Sequence, residues 1–200
     1  MLLELYLSGR VNEMSYFDKE KNVKDYIRMM EGFDNEFMME EVFSNLPIGK
    51  KMLELGIGAG HDLEILKKSY DITGTDKSQV FLNEYRKRDS ETPLIRMDAV
   101  KMDIDEKFDY IYSNKVLIHL TDKELKESFK NQLRVLKKGG LVFHSFWKGS
   151  KSEKYHGLLF NYKTRASILK ITKEWYEEIK YMEYKEIAKN DSFYIILKKK

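Results

Sequence analysis

The stretch LELGIGAG, Leu53 to Gly60, places three glycines in five positions directly after an apolar run. Glycine loses more backbone entropy on folding than any other residue, so this cluster indicates a sharp bend or the close approach of a ligand. A short strand, Lys51–Leu55, is predicted before the glycines, and a helix over His61–Ser69 is predicted after them. Strand, glycine-rich turn and helix form the frame of a nucleotide site at the carboxyl end of a strand in an open α/β sheet.

Strands and helices alternate on the C-terminal side of this turn. The predicted strands are Tyr70–Thr75, Leu94–Met97, Phe108–Tyr112 and Leu141–Trp147. One helix begins at the N-cap Ser78 and runs to Arg88, and another follows the capping box Thr121–Glu124 and ends at Gly139-Gly140. Elements of these lengths in this order predict parallel βαβ units with right-handed crossovers.

The two ends of the chain depart from this alternation. Apolar residues at helical spacings predict helix from about residue 19 to residue 45. Tyr176–Ile187 and Phe193–Leu197 are predicted strands around the polar turn Lys189–Asp191, and such a short turn joins antiparallel strands. We expect one domain over residues 1–200, with an N-terminal helical or lid segment, 1–45, and a core, 46–200. Met14 offers an alternative start, in which case residues 1–13 are expected to be a dispensable leader.

Composition excludes several classes of site. The chain has no cysteine, so disulfides, thiolate metal sites and thiol nucleophiles are ruled out, and we expect no metal. Its 36 Lys and Arg nearly balance its 33 Asp and Glu and are spread along the chain, which disfavours a nucleic-acid partner. No apolar run approaches the ~20 residues of a membrane helix. We expect a cytoplasmic protein with no membrane partner.

The spacing of the glycines indicates which nucleotide would fit. A dinucleotide fingerprint reads G-x-G-x-x-G, whereas Gly56, Gly58 and Gly60 read G-x-G-x-G, with His61 in the place of the third dinucleotide glycine. Glu54 lies two residues before the first glycine. A carboxylate there is a poor neighbour for a pyrophosphate but suits a cationic group. The pattern therefore favours a nucleoside with a positively charged tail.

Two further acids end the next two strands. Asp76 is placed to accept hydrogen bonds from both ribose hydroxyls. Asp98 is placed to accept from the exocyclic amine of adenine, while the Ala99 N–H donates to a ring nitrogen. The alternatives are an Asp76 that only caps the helix beside Ser78, a solvated Asp98 and a glycine turn without a ligand. Asp62 is interpreted as an acid that complements the helix dipole, with a ligand contact as the alternative.

Five segments carry a family resemblance: MLELGIGAGHD, ITGTDKS, IRMDAV, FDYIYSNKVLIHL and LRVLKKGGLVFHSF. They resemble the class I S-adenosylmethionine-dependent methyltransferases of the small-molecule type over about residues 14 to 200. The resemblance implies an α/β Rossmann-like, seven-stranded, mostly parallel sheet with helices on both faces, a last strand that is antiparallel, and an N-terminal helical cap. It also implies S-adenosylmethionine as cofactor, S-adenosylhomocysteine as product, and a lid-like segment FWKGSKSEKYHGLLFNYKT.

The resemblance assigns roles to individual residues. The expected cofactor-binding residues are Tyr16, Glu54, Gly56, Gly58, Gly60, Asp76, Lys77, Asp98, Ala99 and Ser113. His119 is the candidate general base, with a half-buried structural histidine as the alternative. Asn114 is expected to orient the substrate, and Trp147 and Tyr162 are expected to line its pocket unless they only pack in the core.

The function implied is methyl transfer to a small-molecule O or N acceptor by a monomer or homodimer. Three alternatives stay open: an RNA methyltransferase, a nicotinamide-dependent oxidoreductase and a protein that binds S-adenosylmethionine without transferring its methyl group. Glycine spacing and Glu54 oppose the oxidoreductase. The sequence shows no appended RNA-binding module, which opposes the RNA enzyme.

Overall fold

A computed structural model of the chain describes residues 16–32 and 34–200. The helices are α1 (Glu20–Met29), α2 (Glu36–Asn45), α3 (His61–Leu66), α4 (Gln79–Arg86), α5 (Asp122–Val135) and α6 (Arg165–Thr172). The strands are β1 (Lys51–Leu55), β2 (Asp71–Asp76), β3 (Leu94–Arg96), β4 (Phe108–Asn114), β5 (Leu136–Trp147), β6 (Ser152–Tyr155), β7 (Leu158–Asn161), β8 (Tyr176–Tyr184) and β9 (Ser192–Lys199). The leader proposed for residues 1–13 lies outside the described residues.

Seven strands form one sheet in the order β3-β2-β1-β4-β5-β9-β8. The first five strands in chain order are mutually parallel, and β9 is antiparallel to both of its neighbours, β5 and β8. Only β9 therefore runs against the other strands of this sheet. The predicted Rossmann-like sheet with an antiparallel last strand is confirmed.

Both faces of the sheet are buried, because the strands alternate apolar side chains between them. On one face Leu53 and Leu55 of β1 pack in a cluster with Phe129 of α5. On the other face Met52 of β1 packs in a cluster with Val42 of α2. The helices thus cover the two sides, and the carboxyl ends of the parallel strands share one edge.

The N-terminal helical segment is not continuous. The prediction of helix from residue 19 to 45 is wrong between α1 and α2, where Gly32 has a φ of +76°. That left-handed backbone cannot continue an α-helix and is a usual way for one to end. The break lets α2 pack on the sheet independently of α1.

The end of α5 also differs from its prediction. The helix stops at Val135, and the residues up to Gly140 already belong to β5, with Leu136 paired to Phe108. The ammonium of Lys199 on β9 donates to the carbonyls of Leu133 and Leu136, at 2.6 and 2.9 Å. Lys199 thus provides hydrogen-bond donors for carbonyl groups at the end of α5, which would otherwise lack partners within the helix. The helix therefore ends before the two glycines that were predicted to terminate it.

The predicted lid-like segment contains a β-hairpin formed by β6 and β7. Helix α6, which the sequence patterns did not indicate, begins immediately after it behind a capping box on Thr164. Among the described residues, no helix is long and apolar enough to cross a membrane.

Candidate active site

The glycine turn joins β1 to α3 with all three glycines in the left-handed region. Gly56, Gly58 and Gly60 have φ values of +70°, +50° and +77°. A Cβ on Gly56 would lie 2.6 Å from Val116 Cγ2, and one on Gly60 would lie 2.4 Å from Tyr85 Cδ2. Packing within the protein therefore requires two of the glycines, whether or not a ligand binds.

Gly58 is the glycine with room beside it. A Cβ there would lie 3.6 Å from Tyr26 Cε1, which is an ordinary contact. Burial, followed by the charges of Asp62, Asp76 and Glu186, raises the pKa of Tyr26 to about 12. The Tyr26 ring thus lies beside the glycine turn and within reach of the charges of three acids.

Asp76 links the glycine turn to the helix that follows β2. Its Oδ2 accepts from the Gly58 N–H at 3.1 Å, and its Oδ1 accepts from the Ser78 N–H at 2.8 Å. Ser78 itself caps α4 by accepting from the Phe81 N–H. Burial raises the pKa of Asp76 to about 6, although hydrogen bonds from backbone N–H groups oppose the shift. Asp76 is held in place at the second strand end, where the ribose acid was predicted.

The raised pKa of Asp76 predicts a pH dependence with a definite sign. Between the ordinary value of 3.8 and the folded value of about 6, the native state binds more protons than the unfolded chain. The contribution of Asp76 to stability is therefore greatest below this window and is lost as pH rises through it. Chemical denaturation at pH 4 to 7 should show a steeper decline in the free energy of unfolding for wild type than for Asp76→Asn. Equal slopes for the two proteins would contradict the assignment, and Asp71→Asn, at the exposed start of the same strand, is the control.

Glu54 is a buried carboxylate beside the turn. Among the residues that the structure describes, its Oε2 is a buried side-chain oxygen without a hydrogen-bond partner. Burial, and then the charges of Asp62 and Asp76, raise the pKa of Glu54 well above its ordinary value. An unpartnered buried oxygen is costly, so it is a good acceptor for a cationic group placed against it.

Asp98 and Lys77 meet at the ends of β3 and β2. Asp98 Oδ1 accepts from the Val100 N–H at 2.8 Å, and its Oδ2 lies 3.1 Å from Lys77 Nζ. Burial opposes ionisation of Asp98, but the Val100 and Lys77 contacts outweigh it and its pKa lies below the ordinary value. The structure thus brings together two of the predicted cofactor residues as an ion pair, with Ala99 next in the chain.

Asp62 connects the strand ends to the N-terminal segment. It accepts from Tyr112 Oη at 2.7 Å, from Asn114 Nδ2 at 3.2 Å and from Asn35 Nδ2 at 2.7 Å. This is more than an acid in the first turn of a helix. The sequence did not indicate these partners, since they are separated from Asp62 by 27 to 52 positions along the chain.

The side chain of Ser113 faces the core instead of the strand-end edge. It is fully buried, and its Oγ lies 2.8 Å from His144 Nδ1. The predicted backbone contact of Ser113 with the cofactor stays a prediction, whereas its hydroxyl is hydrogen-bonded to His144.

Lys115 is a site residue that sequence reasoning missed. It has a φ of +56°, which is strained for a residue with a Cβ. Its Nζ contacts Tyr184 Oη at 2.7 Å, Ser192 Oγ at 3.1 Å and the carboxylate of Glu186, and it lies 4.5 Å from the ring centroid of Trp147. Trp147 therefore packs against the half-buried side chain of the residue that follows Asn114. Nothing in the sequence around Lys115 signals this, because its partners come from the distant β8–β9 region.

His119 follows β4 in a short 3-10 turn and contacts the hairpin. Its Nδ1 lies 2.7 Å from the Leu159 carbonyl, and its ring packs edge-on against Phe160. A carbonyl only accepts, so Nδ1 carries the proton and Nε2 carries the lone pair. Burial lowers the pKa of His119, which keeps the ring neutral.

The hairpin also meets the N-terminal segment. The ring of Tyr16 stacks on His156 at the hairpin turn, with centroids 5.6 Å apart. Tyr162 donates to Glu153 at 2.9 Å, and Lys151 Nζ lies 4.6 Å from its ring centroid. These contacts place the Tyr162 side chain against β6 and the residue before it, and its predicted place in the substrate pocket stays a prediction.

The sequence matches a family model described as a methyltransferase domain over residues 52–140. That range contains the glycine turn, Asp76, Asp98 and the end of β4. Residues 52–140 are thus similar to a methyltransferase domain. No curated protein sequence matches this chain significantly.

Solved structures share the fold of this chain at low sequence identity. The PH0226 protein from Pyrococcus horikoshii is 21% identical, with a TM-score of 0.70 over 88% of this chain and 99% of its own. The 1,6-didemethyltoxoflavin-N1-methyltransferase from Burkholderia thailandensis is 14% identical, with a TM-score of 0.73 over 88% of this chain and 84% of its own. The N-methyltransferase NodS from Bradyrhizobium japonicum is 17% identical, with a TM-score of 0.66 over 90% of this chain and 97% of its own.

Proposed function

We propose that this protein is a methyltransferase that moves a methyl group from S-adenosylmethionine to a nitrogen or oxygen atom of a small molecule. The observation that carries the proposal is the partnerless buried oxygen of Glu54 beside a glycine turn that Asp76 holds at the neighbouring strand end. One of the similar structures supports a small acceptor, since that enzyme was solved with 1,6-didemethyltoxoflavin bound. Two of them support the cofactor, since both were solved with S-adenosylhomocysteine.

The residues present fit this cofactor. Glu54 would receive the cationic amino group of the methionine part, Asp76 the ribose hydroxyls, and Asp98 with Ala99 the adenine. Tyr16 and Lys77 would cover the site from the N-terminal segment and from the end of β2, and Ser113 would contribute backbone groups. When bound, the cofactor supplies a methyl group on a positively charged sulfur, which is a good leaving group.

The protein would then have to hold the acceptor atom on the axis of the bond between the sulfur and the methyl group. Proximity and orientation alone supply about 7–11 kcal/mol of barrier reduction in favourable cases. Asn114 is the residue proposed to orient the acceptor, because Asp62 and Ser145 hold both ends of its amide. Trp147 and Tyr162 are proposed to line the acceptor pocket.

His119 is proposed as the general base for an acceptor that must lose a proton. Its neutral ring and the lone pair on Nε2 match that role. We expect His119→Gln to lower kcat for the acceptor by about 100-fold or more, as general-base removal does, while S-adenosylhomocysteine affinity stays within about twofold. Steady-state kinetics and calorimetry measure the two effects. Retention of full activity would show that His119 is structural, and His156→Gln at the hairpin turn is the matched control.

The experiment that tests the function has a binding arm and a transfer arm. Calorimetry should show binding of S-adenosylhomocysteine and none of NAD. Incubation with methyl-labelled S-adenosylmethionine and a panel of amines, phenols and hydroxy compounds should label at least one acceptor. Preferential binding of NAD would favour an oxidoreductase, labelling only of added RNA would favour an RNA enzyme, and binding without any transfer would favour a cofactor-binding protein. Cytoplasmic location and a monomeric or homodimeric state stay predictions.

A further inference from the structure

The loop after β3 is held by the side chains of a single helix. Ser128 Oγ of α5 donates to the Ala99 carbonyl at 2.7 Å, and Asn131 Nδ2 donates to the Val100 carbonyl at 2.7 Å. One turn further along, Arg134 Nη1 donates to the Ile104 carbonyl at 3.0 Å. Residues three apart on a helix lie on one face, so this face of α5 holds successive carbonyls of the loop.

One peptide unit of this loop is held at both ends. The carbonyl of Ala99 accepts from Ser128, and the N–H of the same peptide, from Val100, donates to Asp98 Oδ1 at 2.8 Å. That peptide therefore holds one oxygen of the Asp98 carboxylate, while Lys77 contacts the other. Ser128 thus acts on Asp98 through the backbone, without touching it.

Ser128 is in turn oriented by a buried relay that reaches β4. Gln132 Nε2 donates to Ser128 Oγ at 3.2 Å, His144 Nε2 lies 2.9 Å from Gln132 Oε1, and Ser113 Oγ lies 2.8 Å from His144 Nδ1. The carbonyl of Ala99 only accepts, so the direction of every bond follows: the Ser128 hydroxyl donates, the Gln132 amide N–H donates to it, and the Gln132 carbonyl needs a donor from His144. His144 Nδ1 then accepts from the Ser113 hydroxyl.

The relay is fully buried and carries no charge. Ser113, Ser128, Gln132 and His144 are each 0% exposed. Burial lowers the pKa of His144 to about 3, so its ring is neutral at physiological pH. A satisfied buried network of this kind holds its members in one arrangement. Its two ends are Ser113 and Ala99, at the ends of β4 and β3.

We propose that Ser128, Gln132 and His144 are positioning residues that set the Asp98 carboxylate for the amino group of adenine. The proposal rests on the proposed function, in which Asp98 recognises adenine. It predicts that these residues determine selectivity for the 6-amino group, although none of them touches the ligand.

The test compares two probes that differ at the 6-position of the purine. Calorimetry would measure the affinities of S-adenosylhomocysteine and S-inosylhomocysteine, which has an oxygen in place of the amine. Wild type should prefer the adenosyl compound. Asp98→Asn should reduce that preference directly, and Ser128→Ala should reduce it by about fivefold or more, as the loss of one buried hydrogen bond can. Gln132→Met, which keeps the side-chain length but removes both polar groups, should act in the same direction.

The outcomes separate the two proposals. Lys126→Ala, at an exposed position on the same helix, should leave the preference unchanged. If these residues were purely structural, their variants would have a lower melting temperature and would bind both probes more weakly by the same factor. An unchanged preference in folded Ser128→Ala and Gln132→Met would therefore overturn the inference. The role of Asp98 in recognising adenine would not be affected by that result. If Asp98→Asn leaves the preference intact, the role of Asp98 and the inference both fail. If wild type binds neither probe, the proposed function itself fails.

Discussion

Asp76→Ala is expected to weaken S-adenosylhomocysteine binding by about 100-fold or more. The ionised carboxylate would accept two hydrogen bonds from the ribose, and hydrogen bonds to a charged group contribute about 1.5–3 kcal/mol each. A total of about 3 kcal/mol corresponds to roughly 100-fold in affinity. The same carboxylate also holds the Gly58 N–H, so the glycine turn loses a support at the same time.

Calorimetry at pH 7.5 measures this effect, with Asp71→Ala as the matched control. Asp71 begins β2 on the exposed side, at the opposite end of the strand from Asp76. We expect its variant to bind like wild type. If Asp76→Ala retained wild-type affinity, the ribose assignment would be wrong and Asp76 would be only a helix and turn cap.

Gly60→Ala should produce the largest loss of stability among the turn variants. The residue has a φ of +77°, and its added Cβ would lie 2.4 Å from Tyr85 Cδ2. Tyr85 is 1% exposed, so its ring has no space into which to move. A left-handed non-glycine residue costs roughly 1–2 kcal/mol and overpacking roughly 1–3 kcal/mol, so the free energy of unfolding should fall by about 2–5 kcal/mol.

Urea denaturation measures the loss, and Gly157→Ala separates its two causes. Gly157 at the hairpin turn has a φ of +82° but no atom within 4 Å of an added Cβ. Its variant should therefore show only the backbone cost, about 1–2 kcal/mol. Equal losses for the two variants would mean that the contact with Tyr85 relaxes freely and that packing does not require Gly60.

Much of the candidate site could be predicted because it lies where strands end. Three glycines after an apolar run determine a turn, and acids directly after the next strands lie near it once the strands are parallel neighbours. Asp76 and Asp98 follow from this argument alone, as does Glu54 at the end of β1. The parallel βαβ units followed from the alternation of elements, and the antiparallel pairing of the last two strands followed from the short final turn.

The predictions failed where a partner from far along the chain decides a local structure. The end of α5 was placed at Gly139-Gly140, but the ammonium of Lys199 satisfies the helix carbonyls and frees those residues for β5. Lys115 gives no local sign of its left-handed backbone, since its side-chain partner Glu186 lies 71 positions away.

The sequence by itself determined that strands and helices alternate, that the chain turns on glycine at the first crossover, and that carboxylates collect at one edge of the sheet. These properties depend on local periodicity and on the conformations that glycine allows. Only the tertiary structure decided which polar groups are buried and which groups are their hydrogen-bond partners, as in the relay from Ser113 to Ala99. The physical reason is that a buried polar group must be hydrogen-bonded, and its partner is whichever residue the packed fold brings within about 3 Å, at any separation along the chain.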